Sequence, residues 1–410
     1  MTLEFEKVVP QVERMGRALA AQNLDDTQRT LAAWEFFLTL GDLDAIWTRI
    51  KLARERDAGF RGAAPLYEAI NQAYPLPSAP ARATILAADG SQIYPNAHGS
   101  ALFYLTNIGV FVFHHGVDEL PEQITEPRLH YSPTELHDSE GHLIANEAVN
   151  ARRNVGEIEV LARESWRRHE IPAPLLAVRD GPLLFWVGKD VPDGKELQDR
   201  YLGVMVWLLD THAAMVREHG HAASLVGYVD RPTSAFVVSL LHLLSLEASE
   251  VRRTALDTNG VLEGLVDQFL MFKLLKPGER SALLVQQSPQ NKRYHDKGES
   301  YEIAFFYLNV GSSGDYHLAR VEMPMWVARV PERVDEVHAL IYHQCQVMWR
   351  YPYALTRADE LAVVRSHERS QLNELIEIEL RRNQQQVEHS EKLESKVVRH
   401  GRTTYSQKHK

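Results

Sequence analysis

Cysteine is almost missing: a single residue, Cys345, stands in 410. That excludes an internal disulfide framework and any zinc site built from several thiolates. Long apolar runs are missing too. No window comes near 18 uncharged apolar residues, so no segment reads as a membrane span. The opening residues, Met1-Thr2-Leu3-Glu4-Phe5-Glu6-Lys7, have neither the basic start nor the apolar stretch of a secretory signal. A cytoplasmic protein without membrane attachment is the expectation. Several catalytic signatures are also absent. There is no GxxxxGK[ST] loop, which argues against a Walker-type nucleotide engine, and no HExxH, GxSxG or GxGxxG. Excess positive charge is lacking as well; the formal net charge of −10 speaks against coating nucleic acid through bulk electrostatics.

What is present is an ordinary globular composition, 44% hydrophobic and 24% charged, in a chain long enough for two average domains or one large domain with appendages. The charge is unevenly spread. Residues 381–410 hold eight Lys/Arg against three Glu, either a solvated tail or an arm that contacts phosphates. Cys345 falls in the apolar-patterned segment 337–349 and reads as a small core residue.

The most telling stretch is Ile85-Leu86-Ala87-Ala88-Asp89-Gly90-Ser91, where a short apolar run delivers a carboxylate to a glycine. Read as strand then turn, it places Asp89 at the lip of a sheet. The same grammar returns at Leu175-Leu176-Ala177-Val178-Arg179-Asp180-Gly181. Asp-Gly is also a common turn dipeptide. Two strand-end aspartates, however, are what a divalent-metal site on an open sheet requires. Between them, residues 146–169 read as a helix with Val155, Ile158 and Ala162 on one face and Glu157 and Glu159 flanking that stripe. Either glutamate could lean over a sheet edge, while Arg153 and Glu157, four apart, could pair on the surface. A third carboxylate would complete an oxygen-rich site for Mg²⁺ or Mn²⁺, with neighbouring arginines contacting phosphate in a fork geometry. The chemistry implied is phosphodiester hydrolysis. Histidines 98, 114, 115, 130, 137 and 142 lack metal-ligand spacing on one element and read mostly as loop residues.

Along the chain, residues 1–75 read as helical with a break at Gly41-Asp42. Residues 101–105 and 108–113 suit a hairpin turning at Thr106-Asn107, and 114–145 read as a polar surface excursion. Helices are expected over 197–219, 234–248, 261–275, 334–351 and from 356 into the 390s. Strands are expected over 224–229, 281–286, 303–310 and 317–322. Strands alternating with helices, without a repeat, argue for an α/β domain around a mixed sheet with helical N- and C-terminal extensions.

An ordered series of motifs resembles one family. Ala88-Asp89-Gly90-Ser91-Gln92 is similar to the opening motif of NurA-type DNA-repair nucleases, and Asp180-Gly181-Pro182-Leu183 to their second aspartate motif. Gly227-Tyr228-Val229-Asp230-Arg231-Pro232, residues 274–281, 305–311 and 319–326, and Tyr351-Pro352 leading to Glu360-Leu361-Ala362 follow in the family's order, closest to its bacterial branch. The resemblance implies an RNase H-like domain over 80–370, preceded by a helical extension (1–79) and followed by a helical, basic tail (371–410). It further implies a homodimeric, Mn²⁺-dependent deoxyribonuclease, with Mg²⁺ as the other candidate ion. The family acts in DNA-end processing and double-strand break repair with a HerA-type hexameric ATPase. The catalytic and metal-binding residues it implies are Asp89, Glu157 (with Glu159 the other choice), Asp180 and Asp359. Arg152, Arg153, Arg231, Lys396 and Arg399 would contact DNA, and Tyr294 or Tyr307 would supply a family tyrosine. Two departures stand out. Asp359 occupies a position where the family carries a histidine, and Asp230 puts an acid in the Gly227–Pro232 motif. They support a second reading, a catalytically weak NurA-like adaptor that docks on the ATPase ring.

Overall fold

The computed structural model describes residues 3–385, apart from 139, 190, 192 and 349 and the side chains of 19–27. Among these residues nine strands follow one another: β1 (Ala63–Pro65), β2 (Ala83–Ile93), β3 (Tyr104–His115), β4 (Glu122–His130), β5 (Leu175–Asp180), β6 (Ala223–Asp230), β7 (Leu284–Gln286), β8 (Ile303–Asn309) and β9 (Leu318–Pro324). Helices lie between β4 and β5, β5 and β6, β6 and β7, and β7 and β8, and none of the described helices is long and apolar enough to cross a membrane. The chain divides into two units, one of residues 1–80, 181–184 and 226–352, the other of 81–180, 185–225 and 353 onward.

In the first unit an antiparallel sheet runs β1-β7-β8-β9-β6. Of residues 1–75, expected to be helical, Phe5–Leu38 and Leu43–Glu55 are, while Ala63–Pro65 forms β1. The second helix begins where the Asp42 carboxylate accepts the Asp44 and Ala45 N–H groups at 3.0 and 3.1 Å. They bury Phe37, Ile46 and Ile50 with Leu240 and Leu241 of the Phe236–Ser245 helix and Phe305 of β8. Each such side chain taken from water contributes about 1.5–3 kcal/mol. The continuous helix expected over 261–275 is instead a 3₁₀ turn at Gly260–Leu262 and a helix at Gln268–Leu274. Asp267, between them, is fully buried and caps a different helix, accepting the Val237 and Val238 N–H groups at 2.9 Å. Arg280 is buried against Glu68 with two 2.8 Å hydrogen bonds. Cys345 is buried, as expected.

The second unit carries the candidate site. Its sheet runs β4-β3-β2-β5, with β2, β3 and β4 antiparallel and β5 parallel to β2. The chain reaches β5 from β4 through the helix Asn146–Arg167. Three antiparallel strands followed by a helix and a parallel strand are the topology of an RNase H-like core. The Asn146–Arg167 helix packs closely because Gly156 has no Cβ, which would lie 2.8 Å from Ile108 Cδ1. Three expectations are corrected here. Asp89 is not at a strand end, since β2 continues through Gly90 to Ile93. Thr106-Asn107 is not a turn but lies inside β3. The 114–145 excursion contains β4, whose residues are mostly exposed and so carry little apolar signal. The C-terminal helix is two, Tyr353–Ala362 and Ser366–Arg382.

Candidate active site

Side chains alternate between the faces of a strand, and the register of β2 and β3 sorts the site accordingly. Asp89 pairs with Gly109 and Ser91 with Asn107, so these four share one face. Along the same face Phe111 and Phe113 receive the Tyr353 ring edge-on, at 5.6 and 5.9 Å. The Tyr353–Ala362 helix therefore lies on this face, and it carries the exposed Asp359. In the parallel pairing Ala88 is opposite Arg179, which puts Arg179 on the other face and Asp180, the last residue of β5, on the Asp89 face. Asp89 and Asp180 thus share a face of the sheet, but only Asp180 ends its strand, before Gly181 with φ 86°.

Asp89 is partly buried, and its Oδ1 accepts the Gly90 N–H at 2.7 Å. Burial pushes its carboxyl up to about 7, and Glu157 adds to the rise. The Gly90 N–H opposes it, while Asp180 and Asp359 push in the same direction as Glu157. Asp89 thus senses three other carboxylates. Glu157 reaches the cluster from the Asn146–Arg167 helix, against the other face of β2. Gly90 permits that approach: a Cβ there would lie 2.7 Å from Glu157 Oε1 and 2.9 Å from Arg153 Cγ. Glu157 is 3% exposed, so the surface pairing with Arg153 is in fact a buried one, at 3.1 Å, with Arg179 at 3.7 Å. Burial raises its carboxyl as well, against the pull of Arg179 and Arg153. Its buried Oε1 is the atom that faces Arg153 Nε in that ion pair, without an aligned hydrogen bond. Glu159 faces elsewhere and pairs with Arg200 at 2.8 Å.

The arginines expected on phosphate are engaged within the fold. Arg152 donates to Tyr104 Oη (2.9 Å), Glu135 O (2.7 Å) and Asp193 (3.0 Å). Arg153 donates to Gly90 O (3.2 Å) and Gln92 Oε1 (3.0 Å), tying the helix to β2. Arg231, in the first unit, is exposed with φ 43°. The acid beside it, Asp230, is matched to His317 Nε2 at 2.5 Å. Lys396 and Arg399 lie outside the described residues. Tyr307 is buried in the first unit and donates to Asp267 at 2.6 Å, and Tyr294 donates to Leu183 O at 3.0 Å. His130 stacks on Tyr104 (4.2 Å between centroids) and bonds Glu135. The motif reading missed Arg179, Ser91, Asn107 and Gly109. A period of two from Asp89 reaches Ser91 and sets Arg179 opposite Asp180, whereas Asn107 and Gly109 follow only from the β2–β3 register.

An all-oxygen donor set, with the Asp89 carboxyl raised by burial first and by its like-charged neighbours after, suits a hard divalent cation. Among the described residues no three His, Cys, Asp or Glu side chains already converge as ion ligands would.

The sequence profile of the NurA domain matches residues 83–364. No curated protein matches the chain in sequence. Among solved structures, the chain is similar to the NurA nuclease from Sulfolobus solfataricus, with 10% identity and a TM-score of 0.45 over 83% of this chain and 94% of that one. A NurA bound to dAMP and manganese is similar at 9% identity and a TM-score of 0.35, over 75% and 90%. The catalytic domain of human endonuclease V follows at 14% and 0.32, over 80% and 98%.

Proposed function

The chain belongs to the NurA family, and on that premise we propose that it is a divalent-metal-dependent deoxyribonuclease that hydrolyses phosphodiester bonds. The observation that carries this reading is the Asp89 carboxyl, raised to about 7 beside Glu157, Asp180 and Asp359. Burial raises it most and the like charges add to the rise, a cost that a bound cation would offset. Asp89, Asp180 and Asp359 would hold the ion, Mn²⁺ first and Mg²⁺ second, with Glu157 behind them. When bound, the ion supplies the positive charge that activates water and stabilises the leaving oxygen in phosphoryl chemistry. The protein's own part is positional. Arg153 and Arg179 hold Glu157 in the interior, and the Gly90 N–H orients the Asp89 carboxylate. Asp359, in place of the family's histidine, keeps the donor set entirely oxygen.

The wider role proposed is DNA-end processing in double-strand break repair, as a homodimer working with a HerA-type hexameric ATPase. Arg231 and the tail residues Lys396 and Arg399 are proposed backbone contacts. The test is cleavage of end-labelled single- and double-stranded DNA with Mn²⁺, Mg²⁺ or EDTA, beside Asp89→Ala and Asp180→Ala. Metal-dependent cleavage that both substitutions abolish is expected. Cleavage by Asp180→Ala at the wild-type rate would refute its assignment. No cleavage in any metal, with the ATPase present, would refute the nuclease and leave the adaptor.

A further inference from the structure

Asp359 sits on a helix whose last turn is held by the sheet through a small set of contacts. Ser91 and Asn107 are register partners on β2 and β3, and both donate to the same atom. Ser91 Oγ reaches Ala362 O at 2.5 Å, and Asn107 Nδ2 reaches Ala362 O at 2.8 Å and Leu361 O at 3.2 Å. The last carbonyls of a helix have no partners within it, and here two side chains of the Asp89 face supply them. Two residues along the same face, Gly109 lets the helix sit on the strand backbone. A Cβ at that position would lie 2.4 Å from Ala358 O and 2.7 Å from Ala362 N. Gly109 is the register partner of Asp89, and Ala358 precedes Asp359. The contact that seats the helix is thus the one that sets Asp359 beside Asp89.

We propose that Ser91 and Asn107 are positioning residues: by holding the helix end on the sheet they set the Asp89–Asp359 spacing with which the pair takes a divalent cation. The inference rests on the metal-dependent reading above. It assigns to Asn107, which looks like a turn residue in the sequence, a role through Asp359 and no contact with substrate.

The test uses the full chain and Mn²⁺ alone, with free Mn²⁺ followed by electron paramagnetic resonance. Asn107→Leu, close in shape but without a donor, is expected to weaken Mn²⁺ binding about tenfold, in the range of residues that orient metal ligands. Ser91→Ala is the milder companion, should the first variant not fold, with a loss of about threefold. In an Asp359→Ala background either substitution should change the affinity less than twofold, because the residue it acts through is gone. Independently of metal, amide exchange of residues 353–362 should quicken about tenfold in Asn107→Leu. Unchanged Mn²⁺ affinity in a folded variant, or the same loss in the Asp359→Ala background, would overturn the proposal. If the wild type binds no Mn²⁺, the metal-dependent reading fails, and unchanged amide exchange would then overturn the seating as well.

Discussion

Replacing Asp89 by asparagine is expected to make the metal-free protein more stable while ending its activity. The substitution keeps the shape of the side chain and removes a charge that burial and three neighbouring carboxylates disfavour. The folded carboxyl keeps its proton up to about 7, whereas an ordinary aspartate loses it at 3.8. Between those values the folded state binds more protons than the unfolded one, so this group's contribution falls as pH rises through the window. Asparagine has no such titration. Its advantage should be near zero at pH 4 and complete at pH 8. The full difference corresponds to an upper bound of about 4 kcal/mol; solvent screening of a partly exposed side chain brings it to about 2 kcal/mol. With a urea slope of roughly 2.5 kcal/mol/M, that is a midpoint shift of about 0.8 M. The assay is urea unfolding followed by circular dichroism in EDTA at pH 5 and pH 8. Adding Mn²⁺ should raise the wild-type midpoint and leave that of Asp89→Asn in place. Equal midpoints for the two proteins at pH 8 in EDTA would refute the reasoning, because the cluster would then carry no repulsion for a metal to relieve.

Gly90→Ala would push a methyl to 2.7 Å from Glu157 Oε1; an overpacking cost of about 1–3 kcal/mol and at least a tenfold loss of cleavage are expected, and an alanine variant with wild-type rate would show that Glu157 does not need its place. Glu68→Ala would leave Arg280 buried without its carboxylate, costing about 3–5 kcal/mol; a urea midpoint within 0.2 M of wild type, roughly 0.5 kcal/mol, would contradict that. His338 is buried with Nε2 bonded to Gly278 O at 2.8 Å, and burial holds its pKa down to about 4 from 6.5. The folded state thus resists a proton that the unfolded state accepts, so up to about 3 kcal/mol of stability is lost as pH falls from 6.5 to 4. His338→Gln should flatten that part of the stability–pH curve, and an unchanged slope between pH 6.5 and 4 would count against it.

Much of the site was legible because charge in an apolar run is conspicuous. Asp89 and Asp180 each close such a run, and the helix between them shows its buried stripe at Val155 and Ile158. What misled was local chemistry that serves two ends. Gly90 after an aspartate reads as a turn, yet it stays in β2 because Glu157 and Arg153 pass over it and leave no room for a side chain. Asn107 reads as a turn former, yet its amide is spent on a helix end 254 residues away in sequence. The 261–275 pattern is helical in period, but Asp267 interrupts it to cap another helix. In each case a long-range partner overrode a local preference, and one sequence read alone does not show the partner.

The same distinction explains why helical period alone does not separate Glu157 from Glu159. Both flank the apolar stripe of one helix, and helical period alone treats them alike. The decision came from what each meets: Arg200 beside Glu159, Arg153 and Arg179 beside Glu157. Arg179 was visible in the motif, one residue before Asp180, and a period of two puts adjacent strand residues on opposite faces. A strand that ends Arg-Asp therefore offers a cation to one face and an anion to the other. Asp180 then belongs with Asp89, and Arg179 belongs with whatever acid the covering helix sends down. Of the two glutamates only Glu157, over the Gly90 gap, can be that acid.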